Sequence, residues 1–191
     1  MTSRTVIGVV GMPGSGKSVV SSLARELGLP VVVMGDVVRE EVTRRGLPPT
    51  PENVGKVMLE MRRDFGDVVM AERCHPKIES YDSPVVLIEG IRSWKEVDFL
   101  KGKYPNFQLV TVHSSPETRL KRLRKRMRSD DSQDQDLFDK RDRRELEVGI
   151  GSAIAIADHV FVNEDDLEAF KNEAKTYLLN VISDARSRSQ D

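Results

Sequence analysis

Gly11-Met-Pro-Gly-Ser-Gly-Lys-Ser18 follows an apolar, β-branched run, Thr5-Val-Ile-Gly-Val-Val10, and precedes a helical pattern from Val19 to Leu27 that Gly28 closes. The run suits a buried parallel strand, and the eight residues fit the Gly-x-x-x-x-Gly-Lys-Ser/Thr pattern of a phosphate-cradling loop. Strand, glycine loop and helix stand in the order that such a loop requires. Nucleoside triphosphate binding is therefore the first expectation, and it restricts the fold to one built around a parallel sheet.

The residue types follow from the chemistry. Gly11, Gly14 and Gly16 lack a Cβ, so the backbone through Met12, Pro13 and Ser15 can curl tightly and aim successive N–H groups at phosphate oxygens. The positive end of the following helix favours the same anion. Lys17 would reach the β- and γ-phosphates of ATP, and the Ser18 hydroxyl has the size and hardness to bind Mg²⁺ directly.

The chain of 191 residues fits one domain with room for a complete sheet. Its 30 basic and 31 acidic residues nearly cancel, so overall charge argues for neither a nucleic-acid nor a membrane partner. The single Cys74 cannot form an internal disulfide, and no apolar run approaches the roughly twenty residues of a spanning helix. With no secretory pattern at the N-terminus, a cytoplasmic location is expected. Cys74-His75 lacks the further ligands that a metal site needs.

Four further apolar segments read as strands: Leu29 to Met34, Pro84 to Ile88, Phe107 to His113 and Ala157 to Val162. Their alternation with amphipathic stretches predicts an α/β fold, a five-stranded parallel sheet with helices on both faces. From about Glu164 a last helix carries Leu167, Phe170, Ala174, Leu178 and Val181 at spacings of three and four. Two insertions interrupt the scheme within the single domain expected over 1–191. One, from about Val38 to Tyr81, has helical patterns on either side of Pro48-Pro49. The other contains seven basic residues between Arg119 and Arg128, then the polar, acidic Asp130 to Asp136, then Lys140, Arg141, Arg143 and Arg144.

Several side chains could carry chemistry. Glu89-Gly90 ends an apolar strand at the edge where open parallel sheets bind ligands, which makes Glu89 a candidate for the water shell of Mg²⁺. Asp36 follows the second strand and could hold a metal-bound water or an acceptor, or could cap a helix. Arg39 and Arg92 stand near the same edge and could take an acceptor's anionic group. In the basic insertion, Leu120, Leu123 and Met127 form one apolar face, which leaves Arg119, Arg122, Arg126 and Arg128 around the rest. Such a helix could close over phosphates. It has no interleaved aromatic residues to stack bases, which argues against a nucleic-acid partner.

These motifs resemble, in order and over almost the whole chain, those of the adenylate kinase-like nucleoside monophosphate kinases, in particular their archaeal branch. Met34-Gly-Asp-Val-Val-Arg39 is similar to the family's Ser-Thr-Gly-Asp-x-x-Arg segment, and Glu89-Gly-Ile-Arg92 to its Asp-Gly-x-Pro-Arg. Glu117-Thr-Arg119 resembles the segment whose arginine packs near adenine, and Arg128-Ser-Asp-Asp131 with Arg141 resembles the arginine-bearing lid. The resemblance implies a P-loop NTPase fold with an acceptor-binding arm over 38–82 and a lid over 119–150. It also implies transfer of the ATP γ-phosphoryl group to a small phosphorylated acceptor. Lys17, Arg92, Arg128 and Arg141 would be catalytic and Arg119 would join the ATP site. Asp36, Arg39 and Arg92 would hold the acceptor, with Ser18 on Mg²⁺ and Asp36 and Glu89 on its waters. Met34, Glu89 and the missing proline before Arg92 depart from the pattern. Ala157-Asp-His-Val-Phe-Val-Asn163 is similar instead to dephospho-coenzyme A kinases. Such an activity, or an ATPase switch acting on a macromolecule, are the alternatives.

Overall fold

The computed structural model describes residues 4–126, 135–164 and 166–188. Five strands, β1 (Thr5–Val10), β2 (Val31–Val33), β3 (Val85–Ile91), β4 (Asn106–His113) and β5 (His159–Val162), form one all-parallel sheet in the order β2-β3-β1-β4-β5. Side chains alternate between its faces, as the two-residue period of a strand requires. Val6 and Val10 of β1 and Val86 and Ile88 of β3 enter one core, while Ile7, Val9, Val85 and Leu87 enter the other. The first core is covered by α2 (Met34–Arg44), α3 (Pro51–Phe65), α4 (Val69–Glu79), α5 (Trp94–Lys103) and α8 (Ile150–Ala155). The second is covered by α1 (Lys17–Glu26) and α9 (Leu167–Arg188). Helices α6 (Pro116–Arg126) and α7 (Gln135–Val148) share a small core of Leu120, Leu123 and Phe138. Among the described residues no helix is long and apolar enough to cross a membrane.

Element ends differ from the sequence expectation for local reasons. β2 stops at Val33, because Met34 already begins α2 and Asp36 lies in that helix's first turn. β3 does not end before Glu89. It continues through Gly90, whose φ of 99° accompanies a register shift opposite Val9 and Val10. Asp158 is not a strand residue, yet its carboxylate accepts a hydrogen bond from Leu109 N at 2.7 Å and so ties the start of β5 to β4. α9 starts at Leu167 and not at Glu164, since Asp166 Oδ1 caps it by accepting from Glu168 N and Ala169 N. Glu164 instead serves α6, accepting from Thr118 Oγ1 at 2.7 Å and from Ser115 N.

Residues 38–82, for which an arm is expected, contain most of α2 together with α3 and α4. Thr50 caps α3 by accepting from Asn53 N at 3.2 Å, and Pro51 occupies the first helical turn, where its missing N–H costs nothing. Arg62 of α3 reaches the buried Glu96 of α5 at 2.6 Å, and Glu96 also accepts from Arg92 N at 2.7 Å. One carboxylate thus joins the arm to the turn that carries Arg92.

Candidate active site

The glycine loop lies at the C-terminal end of β1, and its conformation excludes side chains. A Cβ on Gly11 would stand 2.4 Å from Val112 O, and one on Gly16 would stand 2.2 Å from Asn163 Nδ2 at a φ of 108°. The loop is braced from behind through Ser15 O, which accepts from Asn163 Nδ2 at 2.9 Å and from Ser114 Oγ at 3.1 Å. Arg122 completes the brace: it donates to Ser114 Oγ and Asn163 O at 2.9 Å each, and to Asn163 Oδ1 at 3.1 Å. Arg122, expected off the apolar face of its helix, also lines the cavity beside the loop. Once β4 and β5 end beside the loop, its guanidinium has carbonyl partners there.

Lys17 Nζ donates to Gly11 O at 2.6 Å and to Met12 O at 3.1 Å. Burial lowers its ammonium to about 8, with Glu89 pulling the other way and Arg92 adding to the fall. Glu89 accepts a hydrogen bond from Ser21 Oγ of α1 at 2.5 Å. On one side of this pair lies a cavity of about 290 Å³ lined by Gly14, Gly16, Ser18, Leu123, Asn163 and Leu167. On the other lies a cleft of about 120 Å³ lined by Arg39, Arg92, Arg141 and Glu145. Lys17 and Glu89 line both, so the two spaces meet at these side chains.

Beyond the cleft the cations continue. A pocket of about 50 Å³ is bounded by Arg39, Arg92, Arg141 and Arg144, together with Val38, Val54 and Met58 of the arm. Arg92 Nε donates to Glu145 Oε2 at 2.7 Å. Burial would raise the Glu145 carboxyl, but Arg92, Arg141 and Arg144 outweigh it and hold the group below the usual carboxylate range. Arg144 Nε is buried without a hydrogen-bond partner, and burial lowers this guanidinium's pKa against the pull of Glu145. The Arg144 guanidinium packs on α3 where Gly55 leaves room, since a Cβ there would lie 2.2 Å from Nη1.

Glu145 and Gly55 carried no expectation from the sequence, and Arg144 was named only as one of the cations of the basic insertion. The spacing of Arg141, Arg144 and Glu145 already places them on one helix face, which was a usable signal. An isolated glycine inside a helical pattern was the only trace of Gly55.

Asp36 is not in the cleft. Placed in the first turn of α2, it is half exposed and pairs with Arg39 at 2.5 Å on an outer surface shared with Glu40, Thr43 and Arg44. Arg119, expected near a nucleotide base, is buried against the phosphate loop. It donates to Pro13 O at 3.1 Å, pairs with Asp142 at 2.5 Å, and stacks its guanidinium 5.0 Å from the Phe138 ring centroid. Arg128 and Met127 lie outside the described residues, as does most of the segment Asp130 to Asp136. Among the described residues no group of three or more His, Cys, Asp and Glu side chains is arranged to hold a metal by itself.

An all-parallel sheet of five strands, with a glycine loop after β1 and cations gathered beyond the strand ends, defines a P-loop NTPase fold of the kinase type. The chain belongs to the AAA domain family, whose model matches residues 10–137. It is 49% identical over 175 residues to a UPF0200 protein of Hyperthermus butylicus, across 92% of this chain and 94% of that one. It is 43% identical over 188 residues to a UPF0200 protein of Methanothermobacter thermautotrophicus, across 98% and 96%. Among solved structures, a shikimate kinase of Bacteroides thetaiotaomicron superposes with a TM-score of 0.62 at 18% identity, covering 94% of this chain and 98% of that one. A gluconokinase of Sinorhizobium meliloti superposes at 0.57 and 17%, covering 98% of each. These neighbours share the fold. What they show is a P-loop kinase-like fold, a class broader than the adenylate kinase-like branch expected from the motifs.

Proposed function

We propose that this protein is a P-loop phosphotransferase that moves the γ-phosphoryl group of ATP to a small anionic acceptor. The observation that carries this reading is the meeting of the phosphate-loop cavity and the arginine-lined cleft at Lys17 and Glu89. Phosphoryl transfer needs two substrates in line and compensation of charge on the moving oxygens, and little covalent chemistry from the protein. Lys17 and the loop amides would hold the donor phosphates. Ser18 and Glu89 line one cavity and offer the hard oxygens that Mg²⁺ takes, Ser18 directly and Glu89 through water. The ion would neutralise phosphate charge there.

Arg39, Arg92 and Arg141, with Arg144, would hold the acceptor between the arm and α7. The acids facing the cleft are Glu89, bonded to Ser21, and Glu145, bonded to Arg92. Glu145 is tied to Arg92 and Glu89 is assigned above to the Mg²⁺ waters, whereas a hydroxyl acceptor would call for a general base and an ionised phosphate oxygen would not. A phosphorylated acceptor fits this arrangement better than a neutral alcohol. Residues 119–150 would act as the lid, with α7 bringing Arg141 against the cleft.

Separate substitutions test the division of labour. Lys17→Ala should weaken ATP binding and lower turnover about a hundredfold, the usual scale for losing one preorganised contact to transition-state charge. Arg39→Ala and Arg92→Ala should raise the acceptor KM while ATP affinity, measured calorimetrically without acceptor, stays unchanged. If either arginine variant weakens ATP binding as much as Lys17→Ala does, that arginine belongs to the donor site and the reading of two adjoining sites fails.

A further inference from the structure

Glu145 is a negative charge inside a pocket otherwise built for anions. It is 3% exposed, lies 2.7 Å from Arg92 Nε, and lines both the cleft beside Lys17 and the smaller pocket against the arm. Arg141, one turn before it on α7, lines the same two walls, and Arg144, the residue just before it, lines the inner one. A carboxylate serving only to neutralise these arginines would be satisfied equally well behind them. This one stands in the wall that a bound ligand would touch.

We propose that Glu145 is a specificity-determining residue that tunes the acceptor's charge, lowering the pocket's preference for a diphosphate or bisphosphate over a phosphate monoester. The inference rests on the acceptor site proposed above. Guanidinium groups stay charged at any working pH, so the pocket cannot adjust its own potential by releasing protons. An entering anion meets attraction from the arginines and repulsion from Glu145. Attraction and repulsion both grow with each negative charge the ligand carries, and at short range in a partly buried site both are poorly screened, so Glu145 removes part of the advantage that a more highly charged ligand would otherwise have. A monoester dianion bears less of this penalty than a more highly charged ligand.

The test uses the full chain with its donor site saturated by Mg²⁺ and a non-hydrolysable ATP analogue. Inorganic phosphate and pyrophosphate are the probes, titrated calorimetrically at one pH and ionic strength. Glu145→Gln should shift the affinity ratio about tenfold toward pyrophosphate, the scale expected for one charge at such distances. Glu145→Asp should keep the wild-type ratio. Arg144→Gln should move the ratio toward phosphate, and the pair Glu145→Gln with Arg144→Gln, which restores net charge, should return it to the wild-type value. A purely structural counter-ion would change stability in Glu145→Gln but leave the ratio unmoved, and that result overturns the proposal. If Glu145→Gln does not fold alone, the double variant carries the test, and a ratio in it equal to that of Arg144→Gln overturns the proposal. Absence of binding by either probe in every folded protein, wild type included, would overturn the acceptor-site reading as well.

Discussion

Lys17 concentrates the physical conflict of the site in one side chain. Its ammonium must be charged to meet phosphate, yet burial among loop carbonyls lowers it to about 8 before any phosphate arrives. The sign of the consequence is fixed. Below about pH 8 the free protein already holds the proton, and nucleotide affinity should be flat. Above it, binding must draw a proton from solvent, and affinity should fall by up to about tenfold per pH unit. Calorimetric titration with ATP in two buffers of different ionisation enthalpy should show proton uptake at pH 9 and none at pH 7. Equal heats in both buffers at pH 9 would mean that Lys17 keeps its ordinary pKa. The loop residues around it were legible in the sequence because their spacing is local. Asp36 and Arg119 show the limit of local spacing: the Asp36–Arg39 pair is three residues apart and readable in the sequence, whereas the Arg119–Asp142 pair spans 23 residues and is not.

At the scale of elements, strands were more legible than their ends. Each apolar run became a strand, but Asp158 and Asp166 took side-chain hydrogen bonds that shortened β5 and α9 relative to the hydrophobic pattern. The junction between arm and sheet was not legible at all, because Arg62 and Glu96 are 34 residues apart and each reads as an ordinary surface charge. In the fold both are buried, and Glu96 also fixes the backbone at Arg92. Arg62→Ala should therefore cost about 3–5 kcal/mol of stability, since it leaves a buried carboxylate without its ion-pair partner. Urea unfolding followed by circular dichroism reads this directly. A loss below about 1 kcal/mol, the scale of an exposed pair, would show that the bridge does not anchor the arm.

Across the whole molecule, the parallel sheet brings the ends of β1, β2 and β3 to one edge, and α7 arrives there from 53 residues beyond Arg92 to add Arg141, Arg144 and Glu145. This convergence joins two cavities at Lys17 and Glu89, and it supports transfer between bound molecules over simple hydrolysis. The most direct measurement of that claim follows the labelled γ-phosphoryl group of ATP in the presence of Mg²⁺. The panel comprises nucleoside monophosphates, dephospho-coenzyme A and other small phosphorylated compounds. The account predicts that one class of acceptor accelerates ADP release and carries the label away as a phosphorylated product, with both signals lost in Lys17→Ala. Label appearing only as inorganic phosphate, unaffected by any small acceptor but accelerated by a macromolecule, would contradict it.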